Sequence, residues 1–143
     1  MKKLFLYLIL GLLVISIIGC NKNNPDRAFY PPVDEYINIT LPSHNALAVP
    51  GGWSYVNGGL KGIIVYRQSN EDFVAYDRNC TFNEVNSCGM AVVKTDNVTI
   101  ECACDGSEYS IFDGSVINSP AELPLKAYNT SFNSNNNTLR IYN

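Results

Sequence analysis

From residue 35 onward the apolar residues fall in short runs, several alternating with polar positions, and no stretch keeps a helical period for three turns. The runs are Tyr36 to Leu41, Trp53 to Val56, Gly62 to Tyr66, Phe73 to Tyr76, Ala91 to Val93, Val98 to Glu101, Tyr109 to Phe112 and Leu139 to Tyr142. Between them lie Pro50-Gly51-Gly52, Asn57-Gly58-Gly59, Asp96-Asn97 and Asp113-Gly114, where glycine, Asn and Asp supply the positive φ angles of tight turns. The pattern predicts an all-β domain with several hairpins. No internal repeat is present, and the Asn-rich stretch Asn133 to Asn137 reads as a loop.

The N-terminus is patterned differently. Lys2 and Lys3 precede a fifteen-residue, mainly apolar run from Leu4 to Ile18 that stops at Gly19-Cys20. A membrane-spanning helix needs roughly twenty apolar residues, so the run has the length of a secretory signal core rather than a span. The junction Ile17-Ile18-Gly19-Cys20 resembles the bacterial lipobox, with a branched apolar residue three before the cysteine and a small residue just before it. That resemblance implies a lipoprotein signal peptide over residues 1–19 and a lipid on the sulfur of Cys20. It places the protein in the bacterial cell envelope, held to a membrane by its N-terminal lipid. Asn21, rather than Asp, after that cysteine favours the outer membrane or cell surface over the inner membrane.

Residues 20–34 are polar, proline-bearing and without apolar periodicity, and they read as a flexible tether to a domain over residues 35–143. No membrane contact beyond the lipid is expected from this stretch. The chain from Cys20 onward carries eight Lys and Arg against thirteen Asp and Glu, a net charge of −5. Without a Lys/Arg cluster it lacks the electrostatic footprint of nucleic-acid binding, so no nucleic-acid partner is expected.

Four further cysteines remain: Cys80, Cys88, Cys102 and Cys104. An even count in an exported domain points to two disulfides, with three possible pairings. The stretch Cys102-Ala-Cys-Asp-Gly-Ser through Phe112-Asp-Gly, Ser119-Pro-Ala and Pro124-Leu to Tyr128 resembles the second cluster-binding box of Rieske iron–sulfur domains and the hairpin that follows it, over 27 residues. That box normally reads Cys-Pro-Cys-His-Gly-Ser. Upstream, Ala75-Tyr-Asp-Arg-Asn-Cys-Thr-Phe82 resembles the strand and first box, which in the family runs into Cys-Thr-His or Cys-Pro-His. With Gly58-Gly59 and the Gly62 to Tyr66 strand, the resemblance covers most of residues 35–143. It implies a Rieske-like iron–sulfur domain fold: antiparallel β-sheets with a small cluster-binding-like subdomain.

A Rieske [2Fe–2S] centre holds one iron by two cysteines and the other by two histidines. By position, Cys80 and Cys102 match the cysteine ligands, while Phe82 and Asp105 stand where the histidines belong. The only histidine, His44, reads as a loop residue far upstream. No normal Rieske cluster, and no other metal or cofactor, is therefore expected. The resemblance further implies a Cys88–Cys104 disulfide, since a second cysteine in the first box pairs with the middle cysteine of the second. Cys80 and Cys102 would then face each other and form a disulfide in an oxidising compartment. Each bridge closes a loop of roughly 15 to 23 residues, worth on the order of 3 kcal/mol.

The implied function is a membrane-anchored binding or structural module with an unidentified envelope protein partner. Its candidate contact surface is the pair of loop tips at 82–86 and 105–108. One alternative keeps electron transfer through a variant [2Fe–2S] cluster on some of Cys80, Cys88, Cys102, Cys104 and Asp105. Another is thiol–disulfide chemistry at Cys102-Ala103-Cys104, although a Cys-x-Cys pair without a helix start lacks the usual means of lowering a thiol pKa. No catalytic residue is expected: His44 has no flanking motif, and Glu71, Asp72 and Asp113 read as turn and surface acids.

Overall fold

In a computed structural model of the protein, residues 27–86 and 89–143 are described. The signal peptide expected over residues 1–19, Cys20 and the first part of the tether lie outside the described residues, as does Cys88. Among the described residues no helix is long and apolar enough to cross a membrane.

The apolar runs fold into strands β1 (Asp34–Asn38), β2 (Trp53–Val56), β3 (Ile63–Arg67), β4 (Phe73–Asp77), β5 (Val92–Val93), β6 (Thr99–Cys102), β7 (Ser107–Ser110), β8 (Val116–Asn118), β9 (Ala127–Asn133) and β10 (Thr138–Tyr142). The only helical elements among the described residues are two 3-10 turns, at Asn45–Ala48 and Glu84–Asn86. The large sheet has the order β1-β10-β9-β4-β3-β2, and the small one β5-β6-β7-β8, every pairing being antiparallel. The domain is all-β.

β3 reads Ile-Ile-Val-Tyr-Arg and is buried at every position because both faces of the large sheet are covered. Ile63 and Val65 enter a core with Ile37, Leu47, Leu139 and Ile141, whereas Ile64 and Tyr66 enter a second core with Ile100, Tyr109 and Ile111 of the small-sheet subdomain. Arg67, at the end of β3, is buried, and its guanidinium donates to the carbonyls of Leu47, Ala48, Ser69 and Asn70. The two sheets are also stitched at Gln68, whose Nε2 donates to Phe112 O at 2.6 Å, beside an edge-to-face pair of Tyr66 and Phe112.

Two strands lie outside the apolar runs of the sequence. β9 turns Tyr128, Thr130 and Phe132 inward and Asn129, Ser131 and Asn133 outward, and β8 is a three-residue edge with Ile117 exposed. β1 begins earlier and stops earlier than the run Tyr36 to Leu41. Its end is set by an Asx turn in which Asn38 Oδ1 accepts from Thr40 N–H at 2.9 Å.

The stretch expected as a flexible tether is docked from Ala28 on. Ala28 N–H donates to Glu84 Oε2 at 3.1 Å, Tyr30 OH accepts from Asn79 Nδ2 at 3.4 Å, and Val33 is buried with its N–H on Asn143 Oδ1 at 2.8 Å. A second set of partners, unreadable in the local composition, orders it.

The cluster-box site and its donors

The site is built where two chain reversals meet at one end of the sheets. The first follows β4 and carries Arg78 to Phe82. The second follows β6, where Asp105 and Gly106 N–H donate to the carbonyl of Cys102 at 3.2 and 2.8 Å. Gly106 closes that turn at φ +80°, in the left-handed region that favours glycine.

Asp77, the last residue of β4, is fully buried and supports the first loop from beneath. Its carboxylate accepts from Leu60 N–H at 2.6 Å, Lys61 N–H at 3.4 Å, Asn79 N–H at 2.8 Å and Tyr128 OH at 2.7 Å. Burial, with the Asp77 carboxylate alongside, drives the Tyr128 hydroxyl pKa far up. Gly59 must be glycine here, because a Cβ would collide with Asp77 Oδ2 and the Tyr128 hydroxyl. Asn79 is also fully buried, donating from Nδ2 to Glu84 O at 3.1 Å and to Tyr30 OH, and burial pushes the Tyr30 pKa up to about 12.

Tyr109 of β7 ties the two loops together. Its ring is fully buried, and its hydroxyl accepts from Thr81 N–H at 3.2 Å and lies 2.9 Å from Thr81 Oγ1, which donates in turn to Leu123 O. Ser107 Oγ accepts from Ala121 N–H at 3.0 Å, fixing the loop before β9 to the same end. Tyr109→Phe leaves the buried Thr81 N–H without its acceptor, so a loss of about 1–3 kcal/mol in urea unfolding is expected. The loss should be accompanied by faster hydrogen exchange at Thr81.

At the centre, Cys80 and Cys102 form a disulfide with Cα atoms 6.0 Å apart, and both are fully buried. The Asp105 carboxylate lies beside them, its ligand oxygen and the two sulfurs all within 4.8 Å of one another. Asp105 Oδ1 accepts from Ser107 N–H at 2.8 Å. Cys104 is likewise disulfide-bonded, and Cys88, the partner implied for it, lies outside the described residues. Because Cys102 is joined to Cys80, the two sulfurs of Cys102-Ala103-Cys104 are not bonded to each other. Phe82 is 46% exposed. His44 is elsewhere, at the start of the first 3-10 turn with Nδ1 2.9 Å from Ser54 Oγ on β2.

The profile of the Rieske [2Fe-2S] domain matches residues 44–129. The chain belongs to the Rieske [2Fe-2S] domain family. Among solved structures, this Rieske chain is similar to the plasma membrane Rieske protein PetC3 of the cyanobacterium Synechocystis PCC 6803, at 23% identity and a TM-score of 0.51, over 62% of this chain and 84% of that one. The ferredoxin of carbazole 1,9a-dioxygenase from Nocardioides aromaticivorans IC177 follows at 16% identity and 0.48, over 77% and 95%. The NirD protein of E. coli gives 12% and 0.47, over 80% and 98%. At 23% identity the likeness to PetC3 shows the fold alone. No curated protein matches the sequence significantly.

The residues present do not fit a Rieske [2Fe–2S] cluster. The family's centre takes two thiolates and two imidazoles. Here the two cysteine sulfurs are bonded to each other, Phe82 has no lone pair to give, and Asp105 alone keeps a donor. Of the variant donor set, Cys80, Cys102 and Cys104 are in disulfides, and Cys88 lies outside the described residues. Sequence reasoning found the cysteines, Phe82 and Asp105 from the boxes but passed over Asp77, Asn79 and Tyr109. The one available signal for Tyr109 was its place in the apolar run after the second box.

Proposed function

We propose that this protein is a lipid-anchored Rieske domain of the bacterial cell envelope that has lost its [2Fe–2S] cluster and works as a binding or structural module. The observation that carries this reading is the Cys80–Cys102 disulfide, with Phe82 and Asp105 in the histidine positions. A covalent bond joins the two loops that an iron would otherwise bridge, so the scaffold keeps its shape without metal. Its contact surface is the end of the domain formed by those loops, where the exposed Phe82 replaces a metal ligand by an apolar ring. The anchor rests on the Gly19-Cys20 junction, and an envelope location on that same motif.

Alkylation of the denatured, unreduced full-length protein tests the first half of the reading. Cys80 and Cys102 should stay unmodified until a reductant is added, and their alkylation beforehand would sink it. The second half is tested by fractionation: the wild-type chain is expected in the membrane pellet and Cys20→Ala in the soluble fraction. Equal membrane retention of both would remove the lipid anchor from the account.

A further inference from the structure

We infer that the loop end of the domain lies against the bilayer leaflet that holds the anchor, with Phe29, Phe82, Val85 and Met90 entering its interface. This inference rests on the proposed lipid anchor and names the occupant of the proposed contact surface. It departs from the expectation that only the lipid touches the membrane.

Four large apolar side chains are exposed on segments tied to this end: Phe29 at 84%, Phe82 at 46%, Val85 at 55% and Met90 at 52%. Phe29 follows Ala28, whose N–H is held by Glu84 Oε2, and Val85 follows Glu84 itself. Met90 forms an isolated bridge with Asn79, whose side chain donates to Glu84 O. The segments therefore converge on Glu84 and Asn79, beside the first loop.

The position of Arg27 decides what covers them. Arg27 and Ala28 line a hollow of about 430 Å³ with Tyr30, Glu84 and Lys126, so Arg27 sits at this same end. Cys20 is seven residues before Arg27. Seven residues reach at most about 25 Å when fully extended. A lipid on Cys20 thus holds this end of the domain, rather than the far end of the large sheet, close to the headgroups.

Charge agrees with that orientation. The chain is acidic as a whole, yet Arg27 and Lys126 border that hollow, and Lys61 Nζ donates to Gly89 O next to Met90. The acid in the middle, Glu84, is nine-tenths buried with Ala28 N–H on its carboxylate. An apolar surface rimmed by cations suits an interface that has apolar chains beneath anionic headgroups. The lipid supplies the attachment, and the apolar side chains set the orientation.

Full-length protein in vesicles of phosphatidylethanolamine and phosphatidylglycerol with brominated acyl chains tests the inference, using Phe82→Trp and Val85→Trp one at a time. The native Trp53 is an internal control, because it pairs with Tyr66 near the Arg67–Phe73 end of the sheet, away from Ile63 and Asp77. The added indoles should lose at least about half of their emission to the bromines, and Trp53 should lose none, as expected for side chains at the acyl boundary. The mass of the N-terminal peptide is measured on the same sample. If Cys20 carries lipid and the added indoles are quenched no more than Trp53, the membrane contact is overturned while the lipoprotein reading stands. If Cys20 carries no lipid, both fall. If the indoles in native membranes are shielded from acrylamide but untouched by brominated lipid, the surface belongs to a protein partner and the inference is overturned.

Discussion

Replacing Cys80 and Cys102 together by alanine will lower the unfolding free energy by about 3 kcal/mol, with Tm falling by roughly 10–20 °C. The bond joins residues 22 apart in sequence, so its removal returns the entropy of a loop of that length to the unfolded chain. Both sulfurs are fully buried between Ile100, Tyr109 and Ala91 in the second core, so no solvent contact compensates for the lost link. Urea unfolding of wild type and double variant, both oxidised, measures the difference. A change below about 1 kcal/mol would mean that the bond does not hold the two loops together.

The second large effect is expected at Asp77. Asp77→Ala removes the acceptor of Leu60, Lys61 and Asn79 N–H and of Tyr128 OH at a site with no exposure. Leaving several buried donors without a partner costs about 3–5 kcal/mol, comparable with breaking a buried ion pair from one side. Tyr128→Phe removes one of those four bonds and should cost about 1–3 kcal/mol. The pair should be non-additive, because the Tyr128 hydroxyl has little left to bond once the carboxylate is gone. Equilibrium unfolding of the two single variants and the double gives the coupling, and amide exchange at Leu60 and Asn79 locates it. Additive losses would show that Asp77 acts through the turn alone.

What the sequence made legible follows from what each residue had to do. β2, β3 and β4 were readable because their apolar residues are continuous or alternating, as burial on two faces requires. β9 was not, because its inward face holds only two large apolar side chains, Tyr128 and Phe132, with the polar Thr130 between them, while Asn129, Ser131 and Asn133 face outward, which locally resembles a loop. The docked segment from Ala28 to Val33 was also hidden, its partners Glu84, Asn79 and Asn143 being 49 or more residues away. At the site, the boxes identified Cys80, Phe82, Cys102 and Asp105 because their spacing is a motif. Asp77 and Asn79 carried no such mark: an acid or amide at a strand end usually belongs to an exposed turn, and only the fold reveals that these two are buried.

The account turns on whether a chain with a Rieske fold and these donors carries a cluster. Iron and acid-labile sulfide, measured together with the visible spectrum on full-length protein extracted in detergent and purified without oxygen, decide it most directly. The account predicts a colourless protein with neither iron nor sulfide. About two irons and two sulfides per chain with a charge-transfer spectrum would contradict it and make the protein an electron carrier with unusual ligands.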